Sequence, residues 1–165
     1  MARHADSGRP RLAARERALM GESAPDGTEY VATNCALYRR NLAAGERAWS
    51  RTEWVSVQAV EWRRGMTALR LRMWPEEGNV SRRLPVRDNS RLPAFALERV
   101  SACRLASHHV QLNVSCSALM TAHRDPASGD VSWRVRLGPG CDQSDPSLAT
   151  TIDATVQTLR SQLGC

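Results

Sequence analysis

The side chains that could carry covalent or metal chemistry are few, and they are spread widely along the 165 residues. None of the five cysteines forms a C-x-x-C pair, and no Cys/His pair repeats at a spacing typical of zinc ligands. His108 and His109 are adjacent on a predicted strand, where successive side chains point to opposite faces, so the two do not bind one ion. Cys116 acts as a nucleophile only beside a general base, and no motif supplies one.

Motifs of the common enzyme classes do not occur in the sequence: it has no Gly-rich phosphate loop, no G-x-S-x-G and no H-E-x-x-H. Asp125 and Asp130 flank a turn that their side chains are suited to cap, which explains them without acid–base chemistry. The sequence therefore predicts no catalytic residue, no metal ligand and no cofactor. A small-molecule enzyme that uses Cys116 or the His108–His109 region stays as a third alternative for the function.

Basic charge is the main chemical feature of the chain, which has 23 arginines, no lysine and a net charge of +6. Arg70, Arg72 and Trp74 alternate with apolar residues, so they share the outer face of one predicted strand. Arginine forks over phosphate and stacks on aromatic rings, which makes such a face suitable for an anionic lipid or phosphate ligand. Arginines of neighbouring segments complete the candidate binding set: Arg63, Arg64, Arg83 and Arg87.

Two other interpretations of this face need no ligand. In the first, the face is an ordinary solvated sheet face in which the arginine stems cover Trp74. In the second, the C-terminal helix packs on Trp74 and covers the face. The absence of lysine beside abundant alanine and arginine is typical of a GC-rich genome, such as that of an actinobacterium. That composition weakens the argument that arginine was selected for phosphate binding.

The elements that position these residues centre on the segment 49–74, which holds four of the five tryptophans. Alternation over 67–74 predicts a strand, because successive side chains leave opposite faces. Arg64-Gly65 supplies the turn before it, since Gly accepts a positive φ. Trp54 and Val57 are three apart, which favours a single helical turn leading into the preceding strand.

Four strands are predicted before this hairpin and one after it, and then a helix. The predicted ranges are 17–23, 29–33, 35–40, 47–53 and 80–87 for the strands and 90–104 for the helix, with Ser90 as its N-cap. Residues 1–14 have almost nothing to bury, so we expect them to be disordered.

Seven strands followed by a helix is the order of a pleckstrin-homology-like (PH-like) barrel. The run Y-V-A-T-N-C-A-L-Y-R-R at 30–40, followed by W-x-x-V-x-x-V-E-W at 54–62, resembles bacterial PH-like and GRAM-type domains. The resemblance implies an α+β fold with an antiparallel PH-like barrel and its following helix over residues 15–104.

The remaining residues, 105–165, are predicted to add a β-hairpin and a C-terminal helix packed on the barrel. Strands are expected at 110–112, 118–123 and 131–137, and Asp145-Pro146 begins the helix. R-D-P-x-S-G-D-V-x-W at 124–133 and D-P-S-L at 145–148 resemble an uncharacterised family of small actinobacterial proteins. This extension is the departure from a plain PH-like domain.

The five cysteines are odd in number and widely spaced. We therefore expect them to be free thiols in a reducing cytosol. No apolar run approaches the roughly 18 residues of a membrane-spanning helix, and the N-terminus lacks the apolar core of a signal peptide. We therefore expect a cytoplasmic protein with no transmembrane segment.

A non-catalytic binding or scaffolding module for a protein partner, or for a second copy of itself, is the first functional hypothesis. Recognition of an anionic lipid or phosphate ligand by the arginine face is the second. Nucleic-acid binding is weaker than either, because the sequence has no RNA- or DNA-binding motif.

Overall fold

The structure, a computed structural model, describes residues 8–78, 80–142 and 144–163. Over these residues the chain forms three antiparallel sheets and two α-helices. The predicted α+β class is therefore confirmed. None of the three sheets closes into a barrel within the described ranges, so the predicted PH-like barrel is not confirmed.

The chain divides into two compact units, and the boundary falls after Ala102. The first unit begins with sheet A, in which four strands pair in chain order. These strands are β1 (Ala18–Ser23), β2 (Thr28–Thr33), β3 (Ala36–Asn41) and β4 (Ser50–Glu53). The turn before β2 uses Gly27 at a φ of +81°, a conformation that favours glycine.

A single 3-10 turn at Trp54–Ser56, close to the helical turn expected at 54–57, carries the chain into sheet B. Its three strands, again in chain order, are β5 (Val57–Glu61), β6 (Ala68–Met73) and β7 (Ser81–Pro85). Gly65 lies in the β5–β6 connection at a φ of +85°, as the sequence predicts. The alternation of β6 buries Leu69, Leu71 and Met73 on one face.

Side chains from the inner faces of the two sheets meet in the core of the first unit. The Tyr30 hydroxyl of β2 donates to the Pro85 carbonyl of β7 at 2.9 Å. The Arg82 guanidinium of β7 donates to the Thr52 hydroxyl of β4 at 2.7 Å. Arg82 follows the apolar phase of its strand but is exposed.

Helix α1 (Leu92–Cys103) follows β7. The Ser90 hydroxyl accepts from the Leu92 backbone N–H at 3.1 Å, as expected of an N-cap. Residues 92, 96 and 100 are buried along one stripe of the helix. Phe95 contacts the fully buried Trp54 edge to face, with ring centroids 6.3 Å apart. The helix therefore packs at the point where the chain passes between the sheets.

The segment before β1 lies over the outer face of sheet A. Residues 8–14 form neither helix nor strand, but Pro10 is buried and the Gly8 carbonyl accepts from Arg40 at 2.8 Å. Leu37 of β3 is buried in the core. Arg40 is three residues further along the strand, so its side chain projects from the opposite, outer face. Residues 1–7 of the predicted disordered N-terminus lie outside the described residues.

The second unit consists of a three-stranded sheet C and one helix. Its strands pair in the order β10-β9-β8, and the elements are β8 (Arg104–Gln111), β9 (Ser117–Arg124), β10 (Val131–Leu137) and α2 (Pro146–Leu163). The sequence predicts β9, β10 and α2 closely. It misses the length of β8, which begins directly after α1 rather than at Val110.

One face of sheet C and one face of α2 form the core of the second unit. Ala118 and Met120 of β9 cluster with Leu159 of α2. Partly buried apolar side chains surround this cluster, including Trp133, Val135, Ile152 and Val156. The amphipathic stripe of α2 is therefore buried against its own unit's sheet, as a helix of this kind requires.

The expectation of free thiols is wrong for Cys116 and Cys141, which form a disulfide across 25 residues of sequence. The bond joins the start of β9 to the loop before α2. Cys35 and Cys103 are buried thiols. Sequence spacing did not indicate the pair because only the fold brings the two Cα atoms to 4.6 Å.

Neither helix in the described part of the chain has the length and apolar character needed to cross a bilayer.

Reduction of the disulfide is predicted to destabilise the second unit by about 3.5 kcal/mol, the chain-entropy value for a closed loop of this length. The expected result is a lower midpoint of thermal unfolding in dithiothreitol than in its absence. The Cys116→Ser/Cys141→Ser variant is the control, because it should unfold at the reduced midpoint whether or not reductant is present. An equal midpoint for oxidised and reduced wild type would contradict the pairing.

Candidate functional site

Three of the predicted site arginines, Arg70, Arg72 and Arg83, lie together on the outer face of sheet B. The register pairs Arg70 with Glu61 of β5 on one side and with Arg83 of β7 on the other. Arg72 is one step further along the same face of β6, opposite Ala59 and Ser81. These three residues are called the arginine face below. All three side chains are exposed.

The charges on the arginine face do not balance. The one carboxylate in the rows opposite these residues, Glu61, lies 3.6 Å from Arg72, with about half of each side chain exposed. This leaves Arg70 and Arg83 directly opposite each other on neighbouring strands. Like charges in directly opposed positions destabilise an antiparallel pair. An anion between the two guanidinium groups would remove that repulsion.

The other predicted site residues lie elsewhere in the first unit. Trp74 follows the end of β6 and is buried, so the expected exposed indole beside the arginines is wrong. Alternation over 67–74 extends the strand one residue too far. Arg87 lies beyond β7 and donates to the Ser23 carbonyl at 2.9 Å, at the end of β1. Arg63 and Arg64 are exposed in the β5–β6 connection, outside the strand pairing.

The residues of the enzyme alternative are not brought together. Cys116 is bonded to Cys141 and is buried, so it has no thiol to act as a nucleophile. His108 and His109 pair with successive residues of β9 and therefore point to opposite faces, as predicted. His108 lies 6.2 Å from the Trp133 ring, measured between centroids. Over the described residues, no group of three or more His, Cys, Asp or Glu side chains could hold a metal ion.

His123, on β9, is a buried titratable group for which the sequence shows no catalytic or metal-binding partner. Burial, together with the positive charges of Arg104 and Arg134 on the neighbouring strands, lowers the pKa of His123 to about 4. The imidazole is therefore neutral at pH 7. Its environment disfavours a charged catalytic or sensing role near neutrality.

A buried carboxylate, Glu16, is the polar centre of the first unit. It accepts from the Thr33 hydroxyl at 2.6 Å, the Tyr38 hydroxyl at 2.8 Å and the Ala13 backbone N–H at 3.1 Å. The Arg51 guanidinium lies 3.8 Å from it. Burial alone would raise the pKa of Glu16, but these hydrogen bonds and the Arg51 charge hold it below 4.5.

Thr33 extends this network to the junction of sheets A and B. Its carbonyl accepts from the Trp54 indole N–H at 2.9 Å, and its hydroxyl accepts from the Ala36 backbone N–H at 2.8 Å. No sequence signal marked Glu16, because it lies in an Arg-rich segment with no apolar period. The burial of the Thr33 hydroxyl, which calls for an acidic partner, is visible only in the fold.

None of the protein-family models, curated proteins or solved structures compared with the chain matches it.

Glu16→Gln is predicted to destabilise the protein by about 2–4 kcal/mol, since it removes a buried charge and replaces one of the two accepting carboxylate oxygens with an amide NH₂ group. Urea unfolding measures the loss. Glu53→Gln is the matched control, because Glu53 also pairs with Arg51 but is exposed; its cost should stay below about 1 kcal/mol. Equal costs for the two variants would contradict the role given to Glu16.

The effect of Glu16 should also depend on pH. Its pKa in the folded chain is lower than 4.5, so the stability that its charge contributes is present above pH 4.5 and is lost as pH falls through the folded pKa. The difference in unfolding free energy between wild type and Glu16→Gln should therefore shrink below pH 4.5. A difference that stays constant down to pH 2 would rule out a charge effect.

Proposed function

We propose that the chain is a non-catalytic binding module whose arginine face takes an anionic ligand, either a lipid phosphate headgroup or free phosphate. The observation that carries the proposal is the direct opposition of Arg70 and Arg83 on an exposed sheet face. Opposed guanidinium groups present two sets of planar donors to one bridging phosphate. Arg72 adds a third donor group, partly neutralised by Glu61.

A PH-like origin for the first unit is part of this proposal. Four strands, then three strands, then a helix succeed one another along residues 18–103. That order supports the resemblance drawn from the T-N-C-A-L and W-x-x-V-x-x-V-E-W runs. The inner faces of sheets A and B meet, as they do in a two-sheet module of this kind. This support concerns the architecture, and the ligand rests on the arginine face.

The disulfide bears on where such a module works. Disulfides persist in oxidising compartments and are rare in a reducing cytosol. The Cys116–Cys141 pair therefore favours an oxidising compartment over the cytoplasm that the sequence analysis expects. An anionic lipid surface is available in either setting, so the proposed ligand does not depend on this point.

Vesicle sedimentation tests the proposal. Wild type should bind vesicles that contain phosphatidylglycerol, should bind pure phosphatidylcholine far less, and should lose affinity as salt rises. The Arg70→Ala/Arg72→Ala/Arg83→Ala variant should bind at least about tenfold more weakly, because each lost charged hydrogen bond costs 1.5–3 kcal/mol at most sites and about 1.4 kcal/mol is tenfold.

The matched control removes the same charge from exposed arginines elsewhere: Arg17, Arg91 and Arg124. This variant should keep its affinity within about twofold of wild type if the site, rather than net charge, determines binding. Equal losses in the two variants, or no binding by wild type at low salt, would refute the proposal. Calorimetry with inorganic phosphate distinguishes a free-phosphate site from a headgroup site.

A protein partner remains the second candidate, supported by the edge of sheet A. β1 is a terminal strand of that sheet, and Leu19 on it is 44 % exposed. An exposed edge strand is a template for an added strand. Light scattering on the purified chain, followed by mass spectrometry of co-purifying proteins, tests this; a monomer with nothing bound would remove the candidate.

A further inference from the structure

A second basic surface lies on the outer face of sheet A, away from the arginine face. A cavity of about 630 Å³ opens there between the segment 9–11, which precedes β1, and the segment 47–49, which precedes β4. Tyr38 of β3 forms part of its wall. The volume is within the range of small-molecule sites, about 300–1,000 Å³.

The cavity wall concentrates positive charge with no acidic side chain. Arg9, Arg11 and Arg47 line it, and all three are exposed. None of them takes part in an ion pair among the described residues. Arg40, beneath this surface, differs from them because Glu29 lies 2.6 Å from it. The three lining arginines therefore keep their full charge for an anion.

The cavity also has an aromatic surface, supplied by Trp49. The Arg40 guanidinium lies 4.4 Å from the centre of the Trp49 ring and covers one face of it. Since Arg40 is buried, it contacts the indole from the side of the sheet. The partly buried indole lines the cavity, so the ring face opposite Arg40 is the one available to a ligand. Tyr38 differs, because it is buried and its hydroxyl is bonded to Glu16 and Arg51.

We propose that this cavity binds a nucleoside monophosphate. The phosphate lies among Arg9, Arg11 and Arg47, whose guanidinium groups fork over its oxygens. The base stacks on the face of Trp49 that Arg40 leaves open, and stacking on an aromatic side chain is sequence-tolerant because every base has a π-face. Such a ligand satisfies both the charge and the ring, whereas a bare anion satisfies the charge alone.

This site is independent of the arginine face. It is built on sheet A and the segments before β1 and β4, and it shares no residue with Arg70, Arg72 or Arg83. The two sites also differ in the aromatic side chain that each can offer a ligand. Trp49 lines the cavity, whereas Trp74, the indole nearest the arginine face in sequence, is buried. A failure of either site in solution therefore leaves the other to be judged by its own variants.

Calorimetric titration of the full chain with adenosine monophosphate tests the proposal, with inorganic phosphate as the second probe. The nucleotide should bind at least about tenfold more tightly than phosphate, because stacking adds about 1–3 kcal/mol. The Arg9→Ala/Arg11→Ala/Arg47→Ala variant should bind the nucleotide at least about tenfold more weakly than wild type. The Arg70→Ala/Arg72→Ala/Arg83→Ala variant has the same net charge and should bind it as wild type does.

Trp49 has its own pair of variants. Trp49→Ala should remove the preference for the nucleotide over phosphate, and Trp49→Phe should keep most of it because a ring remains for stacking. Equal affinity of wild type for the two probes, no nucleotide binding, or unchanged binding in the Arg9/Arg11/Arg47 variant would each overturn the proposal. Circular dichroism establishes that each variant is folded before it is titrated.

Discussion

The hydrogen bonds that converge on Glu16 and Thr33 are the constraint on which the first unit depends. A buried carboxylate is tolerated only when its lone pairs are satisfied, and here a threonine, a tyrosine and a backbone N–H supply the donors. Thr33 also binds Trp54, because the Trp54 indole N–H donates to the Thr33 carbonyl. Trp54 begins the turn between sheet A and sheet B, so this bond fixes the indole at the junction of the two sheets.

Both proposed sites follow from that arrangement. With Leu69 and Leu71 fully buried in the core, the period of two in β6 leaves Arg70 and Arg72 to the solvent, and antiparallel pairing brings Arg83 beside Arg70. On sheet A, the Glu16 network holds the end of the N-terminal segment to the outer face, and Arg40 holds its Gly8 end. The segment held at both ends forms one wall of the cavity beside Trp49.

The sequence predicted correctly those features that depend on interactions between residues close in sequence. The alternation of β6, the turn at Gly65 and the Ser90 cap depend on neighbours in sequence, and all three were found as expected. The burial of Trp74, the Glu16 network and the Cys116–Cys141 bond depend on residues distant in sequence, which periodicity does not report. Arg70 and Arg72 were predicted from the alternation of β6 and Arg83 from a neighbouring segment, but the opposition of Arg70 and Arg83 required the register between two strands.

Chemical-shift mapping with a short-chain phosphatidylglycerol, kept below its micelle concentration, is the most direct test of the central claim. It reports which backbone amides sense the ligand, independently of any substitution. The account predicts that the largest shifts fall at residues 70–72 of β6 and 81–83 of β7, the strands that carry the opposed arginines. Shifts confined to other segments, such as 9–11 and 47–49, or no shifts at low salt, would contradict the claim that the arginine face is the lipid-phosphate site.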